Sequence, residues 1–211
     1  MTPADVGIRT YSKAQAVHFR KTKEGFGALS NMASGFPLRV NGVYIRSSEA
    51  LYQACRFPHL PEVQRLIIQQ TSPMTAKMVS KPHRENSRQD WEQMRIRIMK
   101  WCLRVKLAQH WEQFRELLLS TGDVPIVEES RRDEFLGAKE AEGDVLIGAN
   151  VLGRLLMELR ERLRLPDAEQ LKFVPPPRVS NFLLYSEPIA AIGQPPTEQP
   201  SAMQDIRAAA R

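Results

Sequence analysis

Apolar residues recur at alternating spacings of three and four through Trp91, Met94, Ile98, Trp101, Val105 and Ala108, which predicts one amphipathic helix over residues 91–119. Asp90 is placed to cap it and Thr121-Gly122 to end it. The pattern returns over residues 151–165 in Leu152, Leu155, Leu156, Leu159 and Leu163, with Asn150 as cap and Pro166 as terminator. A shorter helix is expected from Ser48 through Gln53 to Phe57, and another from Pro73 behind a Ser72 cap. Strand signals are weaker. Phe36–Val40 and Val43–Arg46 flank Asn41-Gly42, a dipeptide that favours a two-residue hairpin turn, and Pro125–Glu128 adds a third short strand. The expectation is a helix-dominated α+β single domain with a small antiparallel sheet.

Composition changes the picture at the chain's end and in its charge. A single domain is expected over residues 15–165; beyond it the chain turns proline-rich, including Pro175-Pro176-Pro177. Phe173 and the run Phe182–Tyr185 supply enough apolar surface to dock one segment of residues 166–211, while the stretch after about 188 reads as disordered. No run of apolar residues is long enough for a membrane span or a secretion signal, so a cytoplasmic location without membrane association is expected. Cys55 and Cys102 are too few for a disulfide framework and read as buried thiols. The net charge of +6 suits an anionic partner, and residues 76–106 carry nine basic residues against three acids. Residues 128–144 lean the other way, with seven acids against three bases.

No P-loop, GxGxxG, HExxH or GxSxG motif is present, and the four histidines form no metal-ligand spacing. Neither a metal nor a cofactor is expected. Five polar segments stand out instead: Phe26–Met32, Ser47–Ala54, Ser80–Arg84 leading to Asp90-Trp91, Val127–Gly137, and Gly148–Arg154. Each also has a plain structural reading. The first is an ordinary glycine turn, Glu49 suits the dipole of a helix start, the basic loop is a solvated linker or a phosphate holder, and the last is a helix cap.

In this order the segments resemble the NADAR family (NAD- and ADP-ribose-associated, YbiA-like). The resemblance rests on Phe26-Gly27, Ser30-Asn31, Ser48-Glu49, Tyr52-Gln53, Trp91, Leu118–Gly122, Val127-Glu128, Asp133 and Gly148–Met157, and spans residues 19–163. One position departs: Leu136 stands before Gly137 where the family usually has Trp, which removes a stacking surface for a ribose or base and leaves Phe135 beside it.

The resemblance implies cleavage of an N-glycosidic bond, either in riboflavin-pathway intermediates or between ADP-ribose and guanine in DNA. Residues 29–35, 49–57 and 101–106 are similar to the branch that accompanies DNA ADP-ribosyltransferase toxins. The expected function is therefore an ADP-ribosyl glycosidase acting on the ADP-ribose moiety of modified DNA, as antitoxin to such a toxin. An N-glycosidase of riboflavin intermediates and a non-catalytic ADP-ribose-binding module are the alternatives. Such a reaction develops positive charge at the anomeric carbon and requires a protonated leaving base, so carboxylates are the first candidates. Glu49 is placed first and Asp133 second, steering water or holding ribose hydroxyls. Lys23, with Lys81 in reserve, is the amine for a Schiff-base route through an opened ribose. Lys81 and Arg84 more naturally hold pyrophosphate, and Trp91 either flanks adenine or ribose or belongs to the core. Ser30, Asn31, Gln53, Gly137 and Asn150 complete the expected binding set.

Overall fold

Short local signals set most of the elements in the computed structural model, which describes residues 6–195. Two strands come first, β1 (Arg9–Ser12) and β2 (Val17–Phe19). Asn41 and Gly42 then adopt φ of 49° and 77° and close a hairpin between β3 (Leu38–Val40) and β4 (Val43–Ile45). The Ser47 hydroxyl accepts from the Ala50 amide to start α1 (Ser48–Ala54). A proline opens α2 (Pro61–Ile68), for which the sequence pattern gave no clear signal, and another opens α3 (Pro73–Ser80) behind a full capping box of Ser72 and Thr75.

The stripe expected as one helix over 91–119 folds as two, α4 (Trp91–Gln109) and α5 (Trp111–Leu119), broken at His110. The cause is tertiary. The His110 ring pairs with the Pro37 carbonyl at 2.7 Å, and the Gln109 side chain bonds both the amide and the carbonyl of Arg39, at 2.8 and 2.7 Å. Asp90 does not cap α4 with its side chain, because its carboxylate grips Arg88 at 2.5 and 3.0 Å instead.

After these come β5 (Ile126–Glu128), β6 (Lys139–Ala141), β7 (Val145–Gly148), α6 (Val151–Leu163), β8 (Leu183–Leu184) and β9 (Glu187–Pro188). The strands form separate small sheets: an antiparallel β1-β7-β6 sheet, the β3-β4 and β8-β9 hairpins, and a parallel β2-β5 pair. That parallel pair departs from the all-antiparallel expectation and is possible because the whole length of α1–α5 serves as its crossover.

α4 is the central helix, burying Ile96, Ile98, Met99, Trp101, Leu103 and Val105 against α1, α5 and α6. Both cysteines are free and buried, Cys102 on α4 itself and Cys55 at the end of α1. The packed unit reaches past residues 15–165 on both sides. β1 pairs with β7, and residues 173–192 form a strap across the outside of α4. Phe182 meets Trp101 edge-on at 4.9 Å between ring centroids. Gln64 donates to the Leu183 carbonyl at 2.9 Å and accepts from the Tyr185 amide at 2.7 Å, and Asn41 treats Pro188 and Ala190 in the same way. The stretch expected to be disordered beyond about 188 is packed as far as Ile192, while residues 196–211 lie outside the described ones. Among the described residues no helix is long and apolar enough to cross a membrane.

Since Phe182 is buried against Trp101, Phe182→Ala is expected to lower unfolding stability by about 3–5 kcal/mol in urea titrations. A loss well under 1 kcal/mol would mean that the strap unfolds independently of the core.

Candidate active site

The Phe26–Met32 turn is held from beneath by a buried ammonium. The Lys106 Nζ donates to the carbonyls of Ala28 at 2.6 Å and Ser30 at 3.1 Å, and stands 4.4 and 4.3 Å from the ring centroids of Phe36 and Phe114. Only 1% of Lys106 is exposed, no carboxylate among the described residues pairs with it, and burial brings its pKa down to about 7. Gly27 completes the turn. A Cβ there would lie 2.2 Å from the Lys21 carbonyl oxygen, so only glycine lets the preceding loop fold down so closely.

The turn so fixed places two acids. Asn31 accepts the Glu49 amide on its carbonyl at 3.1 Å and reaches the Glu49 carboxylate with its Nδ2 at 3.5 Å. One helical turn further along α1, Gln53 donates to the other Glu49 oxygen at 2.9 Å and is itself oriented by the Ser80 hydroxyl at 2.9 Å. Glu49 is therefore buried with both oxygens directed. From the other side Ser30 donates to Glu128 on β5 at 3.2 Å. Burial, reinforced by the negative charge of Glu49, raises the Glu128 pKa to about 7, although the Ser30 hydrogen bond opposes the shift. Asp133 and Lys77 also lie within electrostatic reach of Glu128, so all four groups share one region.

That region opens into a pocket of about 260 Å³ lined by Gln53, Arg56, Lys77, Arg84, Trp91, Arg95 and Asp133, with Tyr52, Phe135 and Leu136 as its apolar wall. Four cations face two acids, Asp133 and Glu92. Trp91 is both core and wall, packed on Tyr52 at 5.0 Å and covered by the Arg56 guanidinium at 4.8 Å. Arg95 lies 3.4 Å over the Phe135 ring, and its Nε is sealed from water without an acceptor. Asn31 Oδ1 and Ser48 Oγ, flanking Glu49, are likewise buried without partners. Unpaired buried polar atoms are costly, and the Arg95 Nε, in a side chain that lines the pocket, is placed to gain from a polar group of a ligand.

The expected residues are not all brought together. Glu49, Ser30, Asn31 and Gln53 are buried as one hydrogen-bonded group, of which Gln53 reaches the pocket; Arg84, Trp91 and Asp133 also line it. Asp133 spends one oxygen on the amides of Phe135 and Leu136, at 3.1 and 2.9 Å, and so also shapes its own loop. Lys23 and Lys81 are exposed and do not line the pocket. Asn150 takes the N-cap position of α6 as expected, but its side chain makes no capping bond. It adopts φ 48°, and its side chain accepts from the Glu128 amide at 3.2 Å and donates to the Ile126 carbonyl at 2.8 Å, which fixes β5 beneath the pocket. Gly137 serves by its bareness, since a Cβ would meet the Glu128 carbonyl at 2.5 Å. Glu128, Lys106 and Arg95 were absent from the expected set. Glu128 had a signal in the acidic segment that contains it, while Lys106 and Arg95 were hidden within a long basic helix. Among the described residues no cluster of His, Cys, Asp or Glu could hold a metal ion.

The NADAR domain model matches residues 18–164. Over 150 residues the chain is 36% identical to N-glycosidase YbiA of Escherichia coli (strain K12), which covers 70% of this chain and 88% of that one. It is 31% identical over 159 residues to riboflavin biosynthesis protein VVA0006 of Vibrio vulnificus (strain YJ016), covering 74% of this chain and 41% of that one. The NMR structure of E. coli YbiA aligns with a TM-score of 0.61 at 34% identity, over 71% of this chain and 84% of that one.

The two shifted groups give a stability profile with a definite sign. Glu128, raised to about 7, binds its proton more tightly when folded, so its contribution is complete below the ordinary carboxylate range and is lost as pH rises to about 7. Lys106, lowered to about 7, releases its proton more readily when folded, so stability recovers as pH rises from there toward 10.5. Denaturation midpoints are expected to dip near neutral pH. Glu128→Gln should flatten the acid side of the dip alone, and an unchanged profile would contradict the burial of the Glu128 carboxyl.

Proposed function

The chain belongs to the NADAR family and is an N-glycosidase, and we propose that it hydrolyses the bond between the anomeric carbon of ADP-ribose and guanine in DNA, as antitoxin to a DNA ADP-ribosyltransferase. The observation that carries this reading is the division of charge in the pocket. Arg56, Lys77, Arg84 and Arg95 surround the opening in excess over Asp133 and Glu92, while Glu49 is bonded to the pocket-lining Gln53 and Glu128 lies within electrostatic reach of Lys77 and Asp133. A pyrophosphate among the guanidinium groups would direct the ribose toward the carboxylates. Lys81, in the same 3-10 segment as Arg84 (Lys81–Asn86), is exposed for contact with the phosphates of a polymer.

The acids then divide the work. Glu49, fixed by Gln53 and Asn31, faces the positive charge that develops at the anomeric carbon. Glu128, poised near neutrality, gives a proton to the departing base and takes one from the attacking water. Asp133 and Gln53 orient the ribose hydroxyls. Lys23 stands outside the pocket, on the connection that leads into the Gly27–Leu29 turn, and a ring-opened route would require that connection to bring its amine to the anomeric carbon, where it displaces the base before water releases ADP-ribose. Borohydride reduction during turnover would then leave ADP-ribose on the wild-type chain but not on Lys23→Ala; absence of an adduct on both confines the chemistry to the carboxylates.

The second reading, an N-glycosidase of riboflavin intermediates, is favoured by the matching segment in VVA0006, and the cationic opening suits a sugar phosphate as well. The two are separated by incubating the protein with an oligonucleotide bearing ADP-ribosylated guanine and, in parallel, with a phosphoribosylamino-pyrimidine. Release of ADP-ribose from the first is expected, and Glu49→Gln should reduce it by about 10²–10⁴-fold with its melting temperature preserved. Release from the second substrate alone, or full turnover by Glu49→Gln, would overturn the assignment.

A further inference from the structure

A second concave site lies away from these acids, on the face of α4 that looks toward the strap. It is a groove of about 530 Å³ between α4, α6 and the 3-10 turn Ala168–Lys172. Leu103, Leu155, Leu159, Leu171, Phe173 and Pro175 supply its apolar surface. Three of these, Leu171, Phe173 and Pro175, lie beyond residue 164, where the NADAR match ends, so this groove is built partly from residues outside that match.

Its charges do not cancel. Lys100 is paired with Glu158 across the groove, and Arg162 reaches Asp167 at 3.3 Å. Arg104, between them, has no carboxylate partner among the described residues. Its Nη2 donates to the Phe173 carbonyl at 3.1 Å, and its Nε is sealed from water with no acceptor. Burial and the neighbouring Arg162 charge both act against this guanidinium, which nonetheless stays ionised. A half-buried cation, repelled by a second cation and lacking an anion, sits beside the apolar surface of the leucines and Phe173 in a cavity of the size that holds small molecules.

We infer that the groove binds an amphipathic anion, a single phosphate or carboxylate head on an alkyl or aryl body, with Arg104 and Arg162 on the head and the leucines and Phe173 on the body. The head would supply the missing negative charge. The body would cover the apolar surface of the groove. Neither half of such a ligand alone satisfies the site. The inference is independent of the glycosidase substrate, since no residue of the groove belongs to the pocket around Glu49.

The test is calorimetric titration of the full chain with octyl phosphate, inorganic phosphate and octanol. Octyl phosphate is expected to bind once per chain, and phosphate and octanol each at least about tenfold more weakly. Arg104→Gln should weaken octyl phosphate binding about tenfold, as should Arg162→Gln, whose exposed side chain makes it the safer variant for folding. Both should retain N-glycosidase turnover. Binding lost in Arg84→Gln but kept in Arg104→Gln and Arg162→Gln would place the anion in the catalytic pocket and overturn the inference. So would equal binding of octyl and inorganic phosphate, or displacement of octyl phosphate by an unmodified duplex oligonucleotide, which would make the groove a nucleic-acid contact.

Discussion

The contact on which the site most depends is the ammonium of Lys106 beneath two backbone carbonyls. By bonding Ala28 and Ser30 it fixes a turn with no regular secondary structure of its own beyond a single 3-10 turn, and that turn in turn holds Glu128 through Ser30 and Glu49 through Asn31. An apolar side chain of similar length would fill the same space but leave both carbonyls without donors. The two phenyl rings of Phe36 and Phe114 offset part of the cost of burying the charge, because their faces are electron-rich. The acids thus gain their placement from a cation that does not reach the pocket.

On the far side the same economy of small contacts operates at β5. Asn150, in a left-handed conformation, bridges both ends of that strand, and Gly153 approaches so closely that a Cβ would meet the Ile126 carbonyl at 2.0 Å. Glu128 is therefore carried on a strand clamped from α6 while its carboxyl is gripped from the Ser30 turn. With Leu136 in the lining, the aromatic wall of the pocket consists of Trp91, Tyr52 and Phe135, and the Arg95 guanidinium covers the last of these.

What the chain reveals before folding is uneven, for physical reasons. The Asn41-Gly42 hairpin and the Ser72 capping box were legible because their determinants are adjacent residues. The break at His110 was not, because it is made by Pro37 and Arg39, some seventy positions earlier, and the apolar stripe runs through it without interruption. Asn150 has the composition of a cap and the role of a strand clamp, a distinction set only by which backbone lies opposite. In the site, Glu49 and its ring of Asn31 and Gln53 could be found from motif order, whereas Lys106 looked like one base among nine. Nothing local tells a buried lysine from a solvated one.

The strap bears on what counts as one inheritable piece of this protein. Residues 18–164 carry the family likeness, but the folded body also enlists Arg9–Ser12 as a sheet edge and residues 173–192 as the cover of Trp101. The part that is recognisable by descent is smaller than the part that holds together as a solid. The limits of the family match therefore mark out the mechanical unit poorly. An exchange of segments between this chain and a relative would have to be cut at the edges of the packing, not at the edges of the likeness.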